Sequence, residues 1–405
     1  MKKIKVENII NLIMFLYILT LYIFTYQEGL NLISNIIGVL FMGLVWIKKI
    51  YKGEKIVLNG LSIFYLLFIV ICLSSSLYAI NASTSFVKSR TLFALLILMV
   101  SFINYIDTGD KLYKLMAYFA YSGLITSLYI IFSSDFSDLI RFGSDLGNVN
   151  AIGMILAISS TFSFYFILER KAYRFIAILL INSATTFLTG SRKSLVFLVF
   201  TLLVLAWSKT DRKSFIVSRI KSLVIGLIIL AIIFYATFKI PIFYQIIGKR
   251  MENLFDYLSG EGTSEGSINM RVFMTQLGWG WFKERPFFGY GINNYRFLLG
   301  QTIGWATYAH NNLIELLVGI GIFGTAVYYI LQLYLIRDLY KVSKVVSKTL
   351  AYTFMSMILA YVFMSAGLIY YDSKHFCIIL AVSSIIARLY KEKEINFDNN
   401  KGKKR

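Results

Sequence analysis

The stretch PFFGYGINNYRFLLGQTIGWATYAHNNLIELLVGIGIFG, residues 286–324, joins a Gly–aromatic loop to a long apolar helix and sets one of only two histidines at the junction. Asn311 and Asn312 follow His310 directly, and Glu315 lies about one turn further into the helix. A lone histidine in a soluble chain is most often a satisfied core or surface residue. Here it stands at the mouth of a membrane helix beside a large polar loop, which favours chemistry at the bilayer surface.

Outward from this point the apolar pattern recurs from end to end. Hydrophobic residues make up 58% of 405, mean hydropathy is +0.68, and only two prolines interrupt the chain. Against a span of roughly 20 residues, the apolar runs read as about twelve helices. They lie near 8–26, 30–47, 57–79, 91–106, 114–133, 149–168, 174–190, 193–208, 221–239, 309–336, 349–370 and 376–390, with the fourth and twelfth short. The expected fold is therefore all-α, a polytopic membrane protein with one large extracytoplasmic loop carrying amphipathic helices. The divisions are 1–238 for the first nine spans, 239–308 for the loop, 309–390 for the last three spans and 391–405 for a basic tail. The first run, Ile9 to Thr25, has no small-residue cleavage site after it and reads as a span, not a removed signal. Cys72 and Cys377 both fall in apolar segments, which argues against a disulfide framework and a thiolate metal cluster.

The net charge of +20 is distributed for a bilayer, not a nucleic acid. Most basic residues sit in short connections on one side: Lys2, Lys3 and Lys5, then 48–55, 169–174, 209–221, 337–344 and the tail. That is the positive-inside pattern with both termini cytoplasmic, and the tail is expected to lie against anionic lipid, ahead of a nucleic-acid role. The opposite face has short connections except 134–148 and 239–308. In the latter, Phe243, Ile247, Met251, Leu254 and Leu258 follow helical spacing, so 242–258 reads as an amphipathic helix lying on the membrane. SGEGTSEGS at 259–267 reads as a hinge, and a second amphipathic helix runs from about Ile268 to Lys283 before the turn Gly289-Tyr290-Gly291. A passive cap is the plainer alternative for this loop.

Three arginines break the positive-inside rule: Arg192 in TGSRKS, Arg141 in RFGSDLGNVN, and Arg271 at the start of the second loop helix. Each alone is as well explained by snorkelling to headgroups. Together on the face that carries His310 they form a candidate anion site, because guanidinium groups hold phosphate oxygens in a bidentate fork.

In these places the chain resembles the O-antigen ligase and Wzy-type polysaccharide polymerase group of bacterial membrane proteins. The resemblance rests on RFG…GNVNAIG at 141–153, LTGSRKSL at 188–195, the R…W…RPFFGYGINNY passage at 271–295 and HNNLIELLVGIGIFG at 310–324. It covers about 130 to 390; the N-terminal third matches only in being apolar helices. The resemblance implies a membrane-embedded glycosyltransferase without a cofactor, taking a glycan linked through pyrophosphate to undecaprenol. The acceptor is a second lipid-linked repeat unit for a polymerase, or a lipid A core for a ligase. It further implies Arg192, Arg271 and, more weakly, Arg141 on the donor pyrophosphate, and His310 as proton acceptor, with Asn311, Glu315 and Tyr295 in support. Glu315 either orients His310 or is a helix-lining carboxylate bonded to its neighbours. Membrane lipids, a chain-length regulator and a flippase are the implied companions, in a bacterial cytoplasmic membrane. No Asp-X-Asp pair marks the metal site of a nucleotide-sugar transferase.

The motifs are common to polymerase and ligase. A bias towards Ile, Lys, Asn, Phe and Tyr, as in AT-rich genomes of Gram-positive bacteria without lipid A, leans towards a capsular or other surface polysaccharide polymerase. A flippase or transporter would place ionisable sites near the bilayer midplane, often in repeated halves, whereas the polar groups here gather at one face. A non-catalytic lipid-linked scaffold would not need His310, and His375 in YYDSKHF reads as structural or headgroup-facing. Tags at Lys404 and within 209–221 are expected to report cytoplasm and a tag within 259–267 the exterior. A cytoplasmic signal from 259–267 would put His310 and the arginines in the wrong compartment.

Overall fold

A computed structural model describes residues 6–134, 141–209, 235–259, 266–345 and 347–391. Its described residues are helical throughout, without strands. The helices are α1 Val6–Ile23, α2 Asn31–Tyr51, α3 Gly60–Ser74, α4 Ala82–Tyr105, α5 Gly109–Ser133, α6 Val149–Arg170, α7 Phe175–Leu188 and α8 Arg192–Ser208. After them come α9 Lys249–Ser259, α10 Gly266–Glu284, α11 Tyr295–Ile303, α12 Asn312–Val345, α13 Lys348–Phe363 and α14 Lys374–Lys391. Eight described helices are long and apolar enough to cross a bilayer; α7 is a shorter apolar helix. The protein is a polytopic membrane protein, as expected. Residues 221–234 of the ninth expected span, 260–265 of the expected hinge and the tail from 392 lie outside the described residues; 235–239 are helical, and 259, 266 and 267 belong to the helices on either side of the hinge.

The expected short fourth span is instead a helix of 24 residues. Asn81 caps it, its side chain accepting from Thr84 N, which satisfies one of the orphan donors of the first turn. The polar start, with Lys88 and Arg90, hides these turns from a hydropathy reading. The 242–258 helix is also different: a turn at Pro241–Phe243 leads into a π-helical segment at Tyr244–Gly248 and then α9. Ile246 and Ile247 are buried and join the main core, so this segment packs on protein. The side chains of Leu254 and Leu258 lie outside the described residues. The second loop helix is found at Gly266–Glu284, and α11 was not foreseen.

At the centre stands α6, packed against α5, α7, α8 and α13. It carries Ser159, Ser160, Thr161 and Ser163, all buried. Small residues let helix backbones approach where lipid supplies no hydrophobic drive, and the hydroxyls are paired: Tyr22 OH with Ser159 Oγ at 2.6 Å and Thr161 with Thr201 at 2.8 Å.

The 286–291 segment does not float over the bundle. Gly321 breaks α12 at φ 65°, ψ −170°, and the loop supplies the partners the broken helix lacks. Tyr290 N donates to Val318 O, Gly291 N to Gly319 O and Ile322 N to Pro286 O, each at 2.8 Å. The other side of the loop is tied to the α3–α4 turn, where Ile292 N donates to Ser75 Oγ at 3.0 Å, Asn81 N to Asn294 Oδ1 at 2.7 Å, and Asn294 Nδ2 to Ser85 Oγ at 2.7 Å. Beyond it, Met274, Tyr290, Tyr295, Leu298, Leu299, Ile314 and Val318 form a small core of their own.

A Cβ at Gly321 would run into the Phe287 carbonyl, in a backbone region essentially reserved for glycine. Gly321→Ala is expected to lower the melting temperature in detergent, followed by fluorescence-detected size exclusion. Gly43→Ala, in α2 with open space around it, should leave it unchanged or raise it slightly, helical Ala being favoured by roughly 0.5–1 kcal/mol. Equal effects of the two would refute the role given to the kink.

Candidate active site

At the end of the bundle that carries α10, α11 and residues 304–311, a cavity of about 390 Å³ opens between the α1–α2 turn, the starts of α4, α6 and α8, the α10–α12 segment and the α13–α14 turn. Among its lining residues are Lys88, Lys193, Arg271, Arg296, His310 and Lys374, with Glu315 and Asp372 as the acids. Five lysines and arginines against two carboxylates leave the wall cationic. Lys88 is committed to Asp372 at 2.6 Å, and Lys374 donates to Asn35 at 2.6 Å. Arg271, Arg296 and Lys193 have no carboxylate within ion-pair distance among the described residues. Arg271 and Lys193 are also half-buried and close to each other, and partly buried cations without counter-ions are costly, so such a site is suited to an anion.

Of the candidates from sequence, the cavity collects His310, Arg271 and Glu315. Arg192 is not among its lining residues; its Nη1 donates to Arg250 O at 2.6 Å, tying the start of α8 to the 240–259 segment. Its neighbour Lys193 lines the cavity in its place. One residue along a helix turns a side chain through roughly 100°, and the sequence SRKS does not say which cation faces inward. Arg141 stands one layer back, its Nε donating to Thr189 O and its Nη2 to Asn150 Oδ1, both at 2.8 Å; Asn150 lines the cavity. Burial, with Arg250 and Arg192 adding to it, pushes the Arg141 guanidinium down to about 10. Asn311 caps α12 by accepting from Ile314 N at 3.1 Å. Tyr295 is buried, its hydroxyl donating to Met274 O at 2.6 Å. These two shape the frame and do not line the cavity.

Glu315 is 1% exposed and accepts from Ala309 N at 2.8 Å. It thereby fixes the main chain one residue before His310 and not the imidazole itself. Asn312 accepts from Tyr370 N at 3.0 Å and Tyr371 N at 3.1 Å, holding the α13–α14 turn against the same helix start. Sequence reasoning passed over Lys88, Lys193, Arg296 and Lys374. Lys88 left a signal, being a cation in the first turns of a helix at the sparsely charged end.

His310 has φ 55°, and Asn293, also lining the cavity, has φ 64°; Lys171 is the only other described non-glycine with positive φ. Such strain persists only where the surroundings over-determine it and concentrates at functional sites. The Tyr308 ring lies 4.2 Å from the imidazole, tilted by 49°. Burial, then the charges of Arg271 and Lys193, pushes His310 down to about 4. It is therefore neutral at physiological pH, the state that accepts a proton. An anion bound to those cations would cancel their effect and move the value back towards 6.5. The acid limb of kcat, which reports the loaded enzyme, should thus lie at higher pH than that of kcat/KM for the donor, which reports the free enzyme. Coincident limbs, measured from pH 4 to 8, would separate His310 from the anion.

No curated protein matches the chain. The match to a family model gives the coarse activity, a membrane glycan-handling enzyme of ligase or polymerase type. The matched segment holds Lys193, Arg271, Arg296, His310 and Glu315, all lining the cavity. Residues 175–329 match the family model described as O-antigen ligase, the family that the motifs of this chain resemble.

Proposed function

We propose that the protein is a polysaccharide polymerase joining undecaprenyl-pyrophosphate-linked oligosaccharide repeat units at the outer face of the cytoplasmic membrane, by metal-independent glycosyl transfer. The observation that best supports this is one cavity in which a neutral histidine adjoins cations that no carboxylate occupies. A pyrophosphate diester between a sugar and a lipid is the anion that chemistry would hold.

In this mechanism Arg271 and Lys193 bind the donor pyrophosphate, with Arg296 adding to the field. An acceptor hydroxyl oxygen attacks the donor's anomeric carbon as the bond from that carbon to the phosphate oxygen breaks. The bonding pair leaves with undecaprenyl pyrophosphate, where the cations stabilise it. The hydroxyl proton passes to His310. Glu315 is a positioning residue, acting through the Ala309 amide on the loop that presents the imidazole. Arg192 and Arg141 hold the walls, Arg141 through Asn150. On this reading a second lipid-linked repeat unit is the acceptor, and a flippase and a chain-length regulator would work beside the enzyme.

Purified protein in nanodiscs, given undecaprenyl-pyrophosphate-linked repeat units, should elongate glycan without nucleotide sugar and in the presence of EDTA. His310→Ala should lower the rate by about 10² to 10⁴-fold with donor binding retained, and Arg271→Ala and Lys193→Ala should chiefly raise the donor KM. Elongation by His310→Ala at the wild-type rate, or arrest by the chelator, would refute the mechanism. Translocation of lipid-linked sugar without elongation would replace it by a flippase.

A further inference from the structure

The wall built from the α1–α2 turn and Gly367–His375 has a different chemistry from the cationic one. His375 is 1% exposed, its ring stands edge-on to Tyr22 at 5.7 Å, and its Nε2 is buried without a hydrogen-bond partner. Thr25 Oγ1, on another element lining the same cavity, is buried and unpartnered as well. Buried side-chain polar atoms are overwhelmingly paired. Two unmet groups behind one cavity wall indicate that something polar entering the cavity completes them. Asp372 adds an acceptor: Lys88 holds its Oδ2, and the carboxylate remains 29% exposed. Tyr26, Tyr361 and Tyr371 supply aromatic lining.

An imidazole nitrogen, a hydroxyl and a carboxylate beside aromatic rings suit a neutral ring bearing hydroxyls, which offers donors, acceptors and an apolar C–H face. They do not suit a second pyrophosphate, since Lys88 and Lys374 on this side are already held by Asp372 and Asn35. We propose that this wall is the acceptor-sugar subsite. Here His375, Thr25 and Asp372 bind hydroxyls of a neutral pyranose and leave its reacting hydroxyl facing the His310 wall. The inference rests on the glycosyl-transfer reading and adds to it which end of the cavity takes the acceptor.

Direct binding tests it apart from turnover. Full-length protein in nanodiscs is probed by saturation-transfer NMR with methyl glycosides of common hexoses and N-acetylhexosamines, and separately with inorganic pyrophosphate. At least one glycoside should bind, and Thr25→Val, which keeps the volume, should weaken it by about two- to tenfold, as loss of one neutral hydrogen bond does. His375→Phe should weaken it as much or more, with His375→Gln recovering part of the loss. Pyrophosphate binding should survive all three and fall with Arg271→Ala. No glycoside binding by the wild type, or binding indifferent to Thr25→Val and His375→Phe, overturns the assignment. So does a parallel loss of pyrophosphate binding, which would make both residues scaffold. Glycoside binding with the expected dependence but no elongation by the wild type would remove the polymerase reading and leave the subsite standing.

Discussion

The site depends on three main-chain hydrogen bonds between the 286–291 loop and α12 at Val318, Gly319 and Ile322. A helix broken within a membrane protein exposes amides and carbonyls that lipid cannot satisfy, so a break survives only where other protein groups pair them. The loop provides those pairs, and Gly321 the backbone conformation. In exchange, the loop is fixed against the helix whose first residues follow His310. Asn294 and Ile292 extend the same network to the α3–α4 turn, which starts the helix bearing Lys88. Histidine, arginines and lysine from distant parts of the chain are thus referred to one frame.

That frame makes the electrostatics possible. Arg271 and Lys193 face a half-buried imidazole, and each lowers its affinity for a proton. A flexible loop would let the imidazole swing away from the cations and relax the field. Held near the imidazole, they make the site unfavourable for a proton and favourable for an anion. Burial is the larger cause of that lowering, and an anion bound to the two cations would offset their share of it, so under the proposed function donor binding and proton acceptance would be coupled through one set of charges.

Much of this was legible in the residues. Span positions followed from apolar runs, since the bilayer imposes a length on every helix that crosses it. Arg271, His310 and Glu315 stood out because charge and imidazole are expensive at a membrane edge. What the sequence could not show was direction around a helix axis. Arg192 and Lys193 are adjacent, and only packing decides that the second lines the cavity while the first bonds to Arg250 O. The start of α4 was missed for a related reason: its first turns are rich in polar residues, among them Lys88 at the cavity, so hydropathy begins too late. The kink in α12 was hidden because an apolar run with glycines reads as an unbroken helix until its partner loop is placed.

Strain and rigidity meet at the same place. Asn293 and His310 both carry positive φ and both line the cavity, each next to an asparagine whose side chain is hydrogen-bonded: Asn294 with Asn81 and Ser85, and Asn311 with Ile314 N. The strained residue in each pair presents its side chain to the cavity, and its neighbour anchors the chain. Such an arrangement stores backbone energy, which the anchors must exceed. What it secures is direction. An imidazole on a relaxed helical backbone at position 310 would follow the axis of α12, whereas a left-handed residue ahead of the capped start turns away from it, towards the cations that the rest of the bundle assembles.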